Sequence, residues 1–93
     1  MTKQTQIVEQ RTEHRETAVG EIWFALQGPG FLDFQGRLVD SSKSGFRAAH
    51  QHKSLSTGQQ VRFRHSLGEG RALVMWNQIL AGHVESGFLI LEK

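Results

Sequence analysis

The sequence predicts an all-β protein of about six short strands, forming an antiparallel β-barrel or a strongly curved sheet, with a polar, flexible N-terminal arm. Three observations predict it. Six short runs rich in β-branched and aromatic residues follow one another. Nearly every junction between them carries Gly, Pro, Asp or Ser, which end strands. No stretch shows the apolar period of a long helix.

Residues 1–16 are polar and charged, with Ile7 and Val8 the only apolar pair, and are expected to form the arm. Residues 17–93 are expected to form the barrel as a single domain, because a chain of 93 residues has no room for two. The first strand is expected over Val19–Gln27 and is stopped by Gly28-Pro29-Gly30, where proline lacks a donor. Phe31–Val39 follows, with Gly36 marking a bulge or a close approach. Asp40–Gly45 reads as a compact turn. In ordinary turn chemistry Asp40 would bond its own backbone, and Gly45 would take a left-handed conformation. Phe46–His50 restarts extended structure, and residues 51–60 form a polar connection. Val61–Leu67 alternates with period two: Val61, Phe63, His65 and Leu67 face inward, and Arg62, Arg64 and Ser66 face outward. Gly68-Glu69-Gly70 has hairpin-loop chemistry. Ala72–Ile79 is the most apolar strand, Ala81-Gly82-His83 turns it back, and Gly87–Leu91 closes the chain.

Composition narrows the function. There is no cysteine, which removes disulfides, thiolate metal sites and a cysteine nucleophile together, and suits a cytoplasmic location. No signal-peptide core and no run of ~20 apolar residues is present, so neither export nor membrane insertion is expected. A net charge of +2 is too weak for a general nucleic-acid binder. Seven arginines against four lysines favour forked recognition of phosphate or guanine. His50 and His52 lack a third ligand and make a poor metal site, so no metal is expected. Ser41, Ser42 and Ser44 lack a nucleophile-elbow sequence, so no enzyme is expected either. Arg62 and Arg64 form a basic pair on one strand face, read as a solubilising surface ahead of a contact for an acidic partner.

Two local patterns remain. Arg11-Thr-Glu-His-Arg15 is an Arg-x-x-x-Arg in the arm, and Asp40-Ser-Ser-Lys-Ser-Gly45 is an Asp-x-Ser-x-x-Gly between strands. Separately, the first is an ordinary solvated segment and the second an ordinary turn. In this order on this β-pattern, together with Gly58-x-x-Val61, Leu73–Trp76 and Ser86-Gly87-Phe88, the chain resembles the PilZ domain family over most of its length. The resemblance implies a receptor for the bacterial second messenger cyclic di-GMP, with no cofactor, that signals by contact with an effector protein. It implies that Arg11 and Arg15 grip guanine and phosphate, that Asp40 and Ser42 hold a guanine edge, and that Gly45 lets the backbone approach. Trp76, Arg47 and Gln10 are secondary candidates. Gln10 stands where the family varies its ligand stoichiometry, and leaves one or two ligands open.

The chemistry agrees with that set. Guanine O6 and N7 match an arginine fork, its N1–H and N2–H₂ donors need a carboxylate or hydroxyl, and phosphate takes a second fork. Many members of the family continue into a C-terminal helix, whereas this sequence stops at Lys93 directly after Gly87–Leu91. Either the helix is absent or the barrel mouth is covered otherwise, and an uncovered apolar mouth would be a surface for a partner or for a homodimer. The alternative reading is a barrel of the same kind that contacts proteins without binding nucleotide.

Overall fold

A computed structural model describes residues 16–26, 33–66 and 68–92. Among them there are seven strands and no helix: β1 (Glu16–Thr17), β2 (Glu21–Leu26), β3 (Asp33–Ser41), β4 (Gly45–His50), β5 (Gln60–His65), β6 (Gly68–Leu80) and β7 (His83–Glu92). All pairings are antiparallel. The order β3-β2-β5-β6-β7-β4 closes on itself through β3–β4, and β1 adds a short extra strand on β3. The protein is therefore a closed six-stranded antiparallel β-barrel with one appended strand.

Alternation builds the wall. Ile22 and Phe24 of β2 and Val61 and Phe63 of β5 point into the core, while Trp23, Arg62 and Arg64 point out. Down the interior runs a column of rings, His52–Phe34–Phe24–Phe88–Phe46–Phe63–His65, with successive centroids 4.7, 4.8, 4.9, 4.9, 5.1 and 5.6 Å apart. Stacked or edge-on pairs at such spacings add about 0.5–1.5 kcal/mol each beyond their burial.

The core also holds a polar chain. His50 Nδ1 accepts the His52 backbone N–H at 3.0 Å, which leaves Nε2 as the donor to Ser86 Oγ at 2.8 Å. Ser86 Oγ donates to Asn77 Oδ1 at 2.6 Å, and Asn77 Nδ2 donates to the Leu55 carbonyl at 2.9 Å. Both ring nitrogens of His50 are thus engaged. Burial holds the His50 pKa down at about 4, with His52 and His83 adding to the shift.

Several boundaries differ from the sequence expectation. Glu16 belongs to β1 rather than to the arm. Asp40 and Ser41 complete β3, so the turn shrinks to Ser42-Lys43-Ser44. β6 begins at Gly68, paired with His65, so Gly68–Gly70 is strand rather than loop. β7 begins at His83, and Gly82 takes the left-handed conformation with φ 87°. Gly36 is a close approach, since a Cβ there would meet the Ala49 carbonyl, whereas the β3 bulge lies between Leu38 and Asp40.

Candidate functional site

One row of the outer surface crosses four strands in register: Asp40 on β3 pairs with Arg47 on β4, Arg47 with Gly87 on β7, and Gly87 with Trp76 on β6. Two bulges make this row possible. The bulge between Leu38 and Asp40 turns Asp40 onto the face that Arg47 occupies. The bulge between Val74 and Trp76 puts Met75 and Trp76 outward together, since an extra residue breaks the strict alternation.

Arg47, Gly87 and Trp76 of this row line a surface depression of about 310 Å³, bordered by Ser42, Ser44 and Gly45 on one side and by Met75 and Leu89 on the other. The Asp40 carboxylate receives the Arg47 fork. Nε lies 3.1 and 2.9 Å from the two carboxylate oxygens, and Nη2 also reaches Oδ2. Nη1 lies 4.0 Å from Glu85 Oε1 on the opposite flank. The Asp40 side chain is 11% exposed and that of Arg47 is 39% exposed, so the bridge has a dry end and a wet end. The hydrogen bond to Asp40, with that carboxylate's charge, raises the Arg47 pKa above its usual value.

Trp76 is 37% exposed, and its indole lies flat on Gly87, where any Cβ would fall on the ring. At the turn, the Ser42 N–H donates to the Gly45 carbonyl at 2.8 Å, and the Ser44 carbonyl accepts the Ile90 N–H at 2.8 Å, which ties the turn to β7. Gly45 is not left-handed; among the described residues the positive φ values belong to Gly20, Gly58, Gly68 and Gly82. It must be glycine because the Phe88 carbonyl lies where a Cβ would be. Gly45 thus lets the β7 backbone come close. The Asp40 carboxylate takes the Arg47 side chain.

Of the residues singled out in the sequence, Ser42, Gly45, Arg47 and Trp76 border one depression, with Asp40 attached through Arg47. Gln10, Arg11 and Arg15 lie outside the described residues. Met75, Ser44, Leu89 and Glu85 were missed, as was the seat that Gly87 provides for the indole. The adjacent pair Met75-Trp76 is the signal that could have found the bulge, since two successive large apolar residues interrupt a period of two.

The class the geometry defines is a small closed β-barrel with a half-polar, half-aromatic depression on its outer wall. Compared with known proteins, the chain matches no family model and no curated protein.

Proposed function

We propose that the protein is a PilZ-type receptor for cyclic di-GMP, cytoplasmic and non-catalytic, which passes the signal to an effector protein by contact. The observation that carries this reading is the row Asp40–Arg47–Gly87–Trp76 beside the Ser42–Gly45 turn. It offers a guanidinium, a ring face and hydroxyls within one depression, with the Asp40 carboxylate behind the guanidinium. A guanine can stack on Trp76, as bases do on exposed aromatics. Its N1–H and N2–H₂ donors suit Asp40, while the Arg47 fork suits O6 and N7 or a phosphate. The pairing of Glu16 with Ser41 supports the part assigned to Arg11 and Arg15, since the chain enters the barrel beside Asp40.

Calorimetry with cyclic di-GMP tests the reading. The full chain is expected to bind, and Arg15→Ala and Asp40→Ala to abolish binding. Absence of both heat and amide chemical-shift changes at saturating ligand would sink it. One observation favours the second reading, a barrel that contacts proteins without nucleotide: the Asp40 carboxylate is already engaged by Arg47. Under that reading the calorimeter stays silent, whereas a true receptor exchanges the internal bridge for ligand contacts.

A further inference from the structure

The strand order places β2 and β5 across the barrel from β4 and β7, and therefore opposite the candidate site. On the outer surface of β2–β5–β6, Trp23 stands beside Arg64, Ala25 beside Arg62, and Arg62 directly opposite Arg71. The Arg64 guanidinium lies over the Trp23 ring, 5.9 Å from its centroid, and Trp23 is 43% exposed. The small side chain of Ala25 leaves a depression of about 270 Å³, bordered by Trp23, Asp33, Arg62, Arg64 and Glu69. Arg71 is neutralised by Glu92, with Nε 2.6 Å from Oε2. Among the described residues Arg62 has no such carboxylate, although it faces a like charge across the β5–β6 ladder. Like charges directly opposite destabilise a sheet, and an external anion relieves that repulsion.

We propose that this face docks an extended acidic segment of a protein partner, whose carboxylates at alternate positions meet Arg62 and Arg64 along β5, next to Trp23 and Ala25. The spacing is the argument. Arg62 and Arg64 are two residues apart on a strand, so they stand roughly 6.6 Å apart on one face. An extended chain bearing acidic side chains at alternate positions repeats that interval, and each carboxylate can accept an arginine fork. One exposed ring is a poor track for successive bases, so a nucleic acid is disfavoured. The surface does not depend on the nucleotide reading. If both hold, ligand and partner engage opposite walls without competing.

The test is a titration of the isotope-labelled full chain, followed through its amide signals, with an acetylated hexapeptide alternating Glu and Thr. The same peptide with Gln for Glu and a short oligothymidylate serve as controls. The Glu peptide is expected to shift amides of residues 22–25, 61–64 and 69–71, and to bind at least tenfold more weakly to the R62Q/R64Q double variant. R62K/R64K keeps the charge but not the fork, and is expected to lie between. Equal binding of the Gln peptide, absence of shifts in β2 and β5 at millimolar Glu peptide, or tighter binding of oligothymidylate to the same amides overturns the proposal. Cyclic di-GMP added to the same sample reads separately at residues 42–47 and 86–89, so the two readings fail independently.

Discussion

Arg47 is the hinge of the candidate site at the scale of single residues. It bridges Asp40 and Glu85 across the β3–β4–β7 wall. Asp40→Ala leaves the half-buried guanidinium without its fork acceptor, and is expected to cost about 1–3 kcal/mol in urea unfolding, in addition to abolishing ligand binding. Trp76→Ala uncovers Gly87 and removes a side chain that is only 37% exposed. It is expected to lower the urea midpoint as well as to weaken cyclic di-GMP binding by ~1–3 kcal/mol in calorimetry. Asp40, Ser42 and Gly45 were legible because motif residues keep their spacing in any fold. The Asp40–Arg47 bridge was not, because it needs the bulge at Val39, and nothing local distinguishes that valine from a regular strand residue.

At the scale of elements, the chain from His50 through Ser86 and Asn77 to Leu55 ties β4, β7, β6 and the connection before β5 into one unit. Its acid sensitivity has a definite sign. The folded His50 pKa of about 4 lies below the ordinary value of 6.5, so the unfolded chain binds the proton more readily. Stability is therefore complete above pH 6.5 and falls as pH drops toward 4, by on the order of 3 kcal/mol from this group. Urea titrations at pH 7 and pH 4.5 are expected to show that loss in the native protein and a smaller one in His50→Gln. Ser86→Ala strands the buried His50 Nε2 and the half-buried Asn77 Oδ1, and is expected to cost roughly 1–3 kcal/mol at pH 7 by the same measurement. Sequence alternation found β5 because its two faces differ sharply in polarity, and β-branched and aromatic composition found β2. It missed the start of β6 at Gly68, where Gly-Glu-Gly has turn composition and only pairing with His65, Arg64 and Phe63 makes it a strand. It placed His50 on a strand face, but its partner Ser86 lies too far along the chain for spacing to reveal.

The whole molecule is a ring of strands around a ring column. Phe24 touches Phe34, Phe46 and Phe88, so deleting a central member disturbs several pairs at once. Phe88→Ala is expected to cost about 3–5 kcal/mol, read as a lower urea midpoint. The barrel was legible in the turn signals; which strands meet in it was not, since β4 pairs with β7 across the whole second half of the sequence. That seam has a kinetic consequence. Gly45 lies opposite Leu89 and Arg47 opposite Gly87, so the candidate site straddles one of the two long-range pairings of the barrel, the other being β2 with β5. Loop-closure entropy delays such pairings, and barrels of this kind fold in roughly milliseconds to seconds. A growing chain that has built β2 through β5 has both walls of the arginine–tryptophan face but only half of the Asp40–Trp76 row. Recognition at the seam can begin only when the last strand has arrived, which makes the site a reporter of completed folding.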